Sequence, residues 1–173
     1  MRYFEDFRTG DVHELGTVTV TVEEVLEFGR RFDPQPFHTD PVLAAGSPFG
    51  GLIASGWHTA SMFMRRYVDG LLVHSACTGS PGVDEIRYVR PVRPGDVLTA
   101  RVEILGSRPS PFNSSTGIVQ PKCLLLDRDG AVVFSMILHS IFERRPAGAV
   151  ADAPCSGTKS AAEDPVPCVR AMA

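Results

Sequence analysis

The chain has 173 residues, 17 basic and 20 acidic side chains for a net charge of −3, and 43% hydrophobic residues. With a mean hydropathy of +0.02, that composition excludes a disordered polymer and fits one globular domain with or without a tail. No basic cluster offers a nucleic-acid footprint, and no apolar run approaches the roughly 20 residues of a membrane helix.

The segment Met1-Arg2-Tyr3-Phe4-Glu5-Asp6 has no apolar stretch of the kind that marks a secretory signal. Cys77, Cys123, Cys155 and Cys168 show no CxxC spacing and are too sparse for a disulfide framework. A soluble protein of a reducing compartment, the cytoplasm, is the expectation.

Thr17-Val18-Thr19-Val20-Thr21 alternates as a strand does. Thr21 then opens a helix, with Glu24 three positions on completing a capping-box pattern. Val22, Val25, Phe28, Gly29 and Phe32 share one face of it, and Asp33-Pro34-Gln35-Pro36 stops it. The two prolines place Asp33 and His38 on a stiff extended loop. After Pro41, Pro48, Gly50 and Gly51 comes a second helix over residues 52–69, closed by Gly70. Its residues are apolar on nearly every side through Met64, which predicts a buried central helix.

Antiparallel strands follow. One is predicted over 83–89. Leu98, Ala100, Val102 and Ile104 alternate with polar residues in the next, and residues 117–126 and 131–143 flank the turn Asp127-Arg128-Asp129-Gly130. Residues 146–173 contain no Leu, Ile, Phe, Tyr or Trp, and half of them are Ala, Pro or Gly. The expectation is therefore an α+β domain over 1–145, with a curved antiparallel sheet wrapped around a long central helix, and a flexible Ala/Pro-rich tail over 146–173.

Two stretches carry chemistry. In Asp33-Pro34-Gln35-Pro36-Phe37-His38 a carboxylate and an imidazole stand close enough in sequence to hold one water between them; an Asp capping a turn would look the same. In Phe49-Gly50-Gly51-Leu52-Ile53-Ala54-Ser55-Gly56-Trp57 the unpaired amides of a helix start could face a developing oxyanion. Gly56 would let a ligand approach its N–H, or would only permit tight helix–sheet packing.

Together with Ile86-Arg87-Tyr88-Val89-Arg90-Pro91-Val92-Arg93-Pro94-Gly95-Asp96, these stretches make the chain resemble a MaoC-like dehydratase of the hot-dog fold, the group that includes (R)-specific enoyl-CoA hydratases. The resemblance covers residues 4–145. It implies that Asp33 and His38 hold a catalytic water and that the Gly56 N–H polarises a thioester carbonyl. The implied reaction interconverts trans-2-enoyl-CoA and (3R)-3-hydroxyacyl-CoA without metal or other cofactor, coenzyme A belonging to the substrate. It also implies a homodimer or higher homo-oligomer.

The chain departs from the family pattern at Gln35, where Asn is usual, and at Met64, where some members carry a hydroxyl. Gln35, Phe37 and Trp57 are candidates for substrate binding, and Arg87, Arg90 and Arg93 for the phosphates of coenzyme A. Asp40, before Pro41, is expected to cap a turn, and His58 to be a hydrogen-bonded core histidine. A non-catalytic acyl-CoA binder on the same scaffold and a thioesterase are the alternatives. An iron site from His38, Asp40 and His139 would imitate a two-histidine, one-carboxylate triad, but a long helix between its ligands fits that architecture poorly.

Overall fold

A computed structural model of the chain describes residues 1–147; the expected tail beyond them, with Cys155 and Cys168, lies outside the described residues. In order the described chain forms β1 (Val12–Thr19), α1 (Val22–Phe32), α2 (Pro36–Thr39), α3 (Pro41–Ala45), α4 (Gly56–Gly70), β2 (Cys77–Tyr88), β3 (Val97–Pro109), β4 (Thr116–Leu126) and β5 (Val132–Glu143). The strands make one antiparallel sheet in the order β1-β3-β4-β5-β2. The first four run beyond the bounds predicted for them at one end or both, because ladder pairing extends a strand past its alternating core, while β5 keeps within its predicted 131–143.

Leu98, Ala100, Val102 and Ile104 are buried while Thr99, Arg101 and Glu103 are half-exposed, the predicted alternation of a sheet with one covered face. That face receives α4. Phe63 packs on Phe134 with ring centroids 6.2 Å apart, and the Tyr67 hydroxyl meets Ser140 Oγ at 3.1 Å in the same layer. The core is thus the α4–sheet interface, and the architecture is the α+β hot-dog arrangement. The hairpin turn is also as expected: Asp127 N–H donates to Ala131 O at 2.9 Å, and Gly130 sits at φ +80°.

Helix α1 starts as its cap predicts, with Glu24 N–H donating to Thr21 Oγ1 at 3.2 Å and the hydroxyl donating back to Glu24 Oε2 at 2.9 Å. Of its apolar face, Val25 and Gly29 are buried whereas Val22 and Phe32 are exposed. Gly29 has a steric role: a Cβ there would lie 2.6 Å from the backbone oxygen of His38. Only a glycine lets α1 pass this close to α2.

Three expectations are corrected. The Asp33–His38 stretch is not extended throughout, because Pro36 occupies the first position of the one-turn helix α2, where its fixed φ suits the helix. The central helix begins at Gly56, not at Leu52. Ile53 N–H donates to Phe37 O at 3.1 Å and Ala54 N–H to Val92 O at 2.8 Å. Those bonds hold the residues before Ser55 outside the helix, between α2 and the β2–β3 connection. Finally, α4 is not buried all round. His58, Thr59, Met62, Phe63 and Tyr67 are buried, but Trp57 is 62% and Met64 39% exposed, since the sheet covers one side only.

Candidate active site

Asp33 follows the last residue of α1, and its backbone N–H closes that helix on Gly29 O at 2.9 Å. Its side chain is held at both oxygens. Gln35 Nε2 donates to Oδ1 at 2.8 Å and Ser55 Oγ donates to Oδ2 at 2.7 Å. The same Oδ2 lies 3.3 Å from His38 Nε2. His38 is 4% exposed, and its other ring nitrogen, Nδ1, lies 2.8 Å from Ile53 O. A carbonyl only accepts, so Nδ1 donates that bond, and Nε2 is the ring nitrogen turned toward Asp33. Burial works against a charged Asp33, but the Ser55 hydroxyl, the Gln35 amide and the nearby His38 outweigh it and hold the carboxyl below its ordinary value.

The pair opens into a cleft of about 460 Å³ that is also lined by Gln35, Phe37, Gly56, Trp57, Tyr88 and Arg90. Ile53, Ala54, Val92 and Val133 make the rest of the wall mostly apolar. Ser55 caps α4, accepting the Trp57 N–H at 3.2 Å. Gly56 is the first helical residue, so its N–H has no intrahelical acceptor and stands at the positive end of a 15-residue helix. The packing reading of Gly56 is the one the geometry bears out: the space of its missing side chain is filled by the Tyr88 ring, 2.7 Å from where a Cβ would be, while the residue also lines the cleft.

The MaoC-like domain family matches residues 8–122. This chain belongs to it. Among other MaoC-like proteins, the dehydratase from Rhodospirillum rubrum superposes with a TM-score of 0.77 at 36% identity, over 84% of this chain and 99% of that one. The uncharacterized protein YdeM of Bacillus subtilis (strain 168) is 27% identical over 105 residues, 61% of this chain and 74% of YdeM. The R-hydratase PhaJ1 from Pseudomonas aeruginosa shares the fold, with a TM-score of 0.66 at 20% identity over 91% of this chain and 96% of that one.

The MaoC-like cleft thus gathers Asp33, Gln35, Phe37, His38, Gly56, Trp57 and Arg90 from the sequence-predicted set, and it leaves two arginines aside. Arg87 is exposed and paired with Glu85 at 2.8 Å, on the sheet face that Ser135 shares. Arg93 donates from Nη2 to Phe49 O, which pins the loop before α4. Arg90 stands at the rim and is paired with Asp127 at 2.7 Å. The iron triad does not assemble: Asp40 caps α3 through the amides of Val42 and Leu43, and His139 Nε2 is bonded to Asp84 at 2.8 Å.

His58 is buried as expected, but it is not hydrogen-bonded as expected. Its Nδ1 has no partner among the described residues, and its ring stacks on Phe28 at 4.9 Å. Two residues of the MaoC-like site escaped sequence reasoning. Ser55 was hidden by starting the helix too early; with Gly56 as the first helical residue, Ser at the preceding position is an ordinary cap signal. Tyr88 falls in a predicted strand and in a motif that carries the resemblance, but nothing local in the sequence links it to Gly56. Among the described residues, no helix is long and apolar enough to cross a membrane.

Proposed function

We propose that this MaoC-like protein is a hydratase/dehydratase that interconverts trans-2-enoyl thioesters and (3R)-3-hydroxyacyl thioesters of coenzyme A. The observation that carries this reading is the 3.3 Å approach of Asp33 Oδ2 and His38 Nε2 in one cleft with the Gly56 N–H. A single water bonded to both atoms faces the β-carbon when the thioester carbonyl oxygen accepts the Gly56 N–H.

In hydration, His38 Nε2 takes a proton from that water as its oxygen attacks Cβ. The π pair moves to Cα and the carbonyl oxygen, and the resulting enolate is stabilised by the Gly56 N–H and the α4 N-terminus. The imidazolium then returns its proton to Cα, so H and OH have added across the double bond and the dyad is restored. Asp33, kept anionic by Ser55 and Gln35, orients the water and stabilises the imidazolium. Dehydration is the reverse. An apolar wall suits an uncharged acyl chain, and Arg90 at the rim suits a coenzyme A phosphate.

We also infer a cytoplasmic homodimer. The edge strand β2 and the cleft mouth leave Val83, Tyr88, Val89 and Trp57 each about half-exposed or more, a surface that a second copy would cover; light scattering on the purified chain tests it.

The function is tested by the loss of absorbance of the conjugated enoyl thioester, starting with crotonyl-CoA, with chiral analysis of the product. Wild type is expected to give the (3R) alcohol. Asp33→Asn and His38→Ala are each expected to lower kcat by roughly 10²- to 10⁴-fold with the fold intact. Binding of coenzyme A thioesters without turnover across short, branched and dicarboxylic enoyl chains would overturn the reading and leave a ligand-binding protein.

A further inference from the structure

Ser55 is 1% exposed and lies between the segment tied to α2 and the first turn of α4. Its backbone is anchored on both sides independently of Asp33. Ala54 N–H is bonded to Val92 O at 2.8 Å, and Ser55 O accepts both Thr59 N–H at 2.9 Å and Thr59 Oγ1 at 3.2 Å. Asp33, by contrast, sits at a helix end with its side chain 22% exposed. The serine is the fixed partner and the carboxylate is the one that needs fixing.

A serine hydroxyl has one proton and two lone pairs. Here the proton goes to Asp33 Oδ2 at 2.7 Å, while a lone pair accepts the Trp57 N–H at 3.2 Å. Each half of that arrangement serves a different part of the cleft. The donated bond holds Oδ2 beside His38 Nε2 and favours the charged carboxylate. The accepted bond occupies the amide after Gly56 and leaves the Gly56 N–H without a cap partner, at a residue that lines the cleft.

We propose that Ser55 is a positioning residue of this site: through one hydroxyl it registers the Asp33 carboxylate against His38 and the N-terminus of α4 against the same cleft. The inference rests on the hydratase reading for its kinetic consequence, but not for its electrostatic one. Gln35 has a different place, since it holds Oδ1 alone and is exposed on the outer side of the cleft. Loss of Ser55 therefore frees the oxygen that faces the histidine, whereas loss of Gln35 frees the one that does not.

The test compares wild type with Ser55→Ala, a small change at a buried site, in the full chain. Asp33 is titrated by carbon NMR of its side-chain carboxyl, and kcat and KM for crotonyl-CoA are measured against pH. In Ser55→Ala the Asp33 titration is expected to move to higher pH. At the pH optimum kcat is expected to fall roughly 10- to 100-fold, with KM within about twofold. Ser55→Thr, which keeps the hydroxyl, returns the Asp33 titration toward wild type. An unmoved Asp33 titration in Ser55→Ala would overturn the proposal, as would a rate loss that only follows the fraction of folded protein. If wild type turns over no enoyl thioester, the hydratase reading fails while the titration still decides the role of Ser55.

Discussion

The Tyr88 ring occupies the place that a side chain at Gly56 would need: a Cβ there would come within 2.7, 2.8 and 2.9 Å of Tyr88 Cζ, Cε1 and Cε2. The end of β2 and the start of α4 are thus packed against each other at the point where the cleft has its free helix amide. Tyr88 is itself held by Phe134, at a centroid distance of 5.9 Å, which joins this contact to the core.

Gly56→Ala must therefore displace the far end of the half-exposed Tyr88 ring and loosen its contact with Phe134. The expected cost is about 1–3 kcal/mol of stability, together with a loss of turnover. Tyr88→Ala in the same chain removes the clash, so the double variant is expected to be more stable than the sum of the two single losses. Denaturant melts of the four proteins check this, and strict additivity would show that the two residues do not contend for one space.

Gln35→Ala removes the amide that donates to Asp33 Oδ1. The Asp33 pKa is below its ordinary value in the folded chain even though burial opposes this, because Ser55, Gln35 and His38 favour the charge. A group depressed in this way adds stability that is present above the ordinary aspartate range and is lost as the pH falls through the folded value. Gln35→Ala should raise that folded value, so that the Asp33 carboxyl titrates at higher pH by carbon NMR, by less than a dry hydrogen bond would give because Gln35 is exposed. A titration that stays in place would mean that Oδ1 is satisfied equally well by solvent.

His58 predicts a second pH effect of different origin. Burial pulls its imidazole below the ordinary histidine value, with Glu24 acting weakly the other way. The unfolded chain then takes up the proton first as the pH falls through about 6.5. Stability should decline from there down to the folded pKa and be unaffected by this group above neutrality. His58→Phe keeps the stack on Phe28 and removes the titration, so thermal melts between pH 7.5 and about 5 should become flatter in the variant. An equal slope in both proteins would assign the acid sensitivity elsewhere, with the half-buried His13, also pulled down by burial, as the next candidate.

Arg90→Gln tests the rim. Its pairing with Asp127 leaves the side chain 43% exposed, so the contact with a phosphate is a wet one. A rise in KM of about three- to fivefold is expected for crotonyl-CoA at unchanged kcat, with none for a crotonyl-pantetheine thioester that lacks the nucleotide. The same KM change for both thioesters would place Arg90 at the acyl or pantetheine part instead.

Much of this protein is legible in local sequence, for local reasons. The Thr21–Glu24 cap, the Asp127–Gly130 turn and the alternation of Leu98, Ala100, Val102 and Ile104 each rest on neighbours within one turn or one strand. Pairing Asp33 with His38 is legible for the same reason, since they are five positions apart and meet at 3.3 Å. Pattern reading failed where a distant partner decided the outcome. The start of α4 depends on Phe37 O and Val92 O taking the amides of Ile53 and Ala54, and an apolar run by itself looks helical there. Trp57 and Met64 count as core by hydrophobicity, yet their exposure depends on which side of α4 the sheet covers. Likewise Arg87, Arg90 and Arg93 alternate along one short segment, but only their ion-pair partners and loop contacts separate the rim residue from the other two.

The sequence by itself thus determined an α+β chain with a carboxylate–imidazole pair beside a glycine-led helix, because spacing and periodicity are short-range properties. Only the tertiary structure decided that Ser55 reaches across 22 positions to Asp33 and that Tyr88 closes over Gly56. Each of these contacts joins elements far apart in sequence, and they meet only where the sheet and the helix pack into one core.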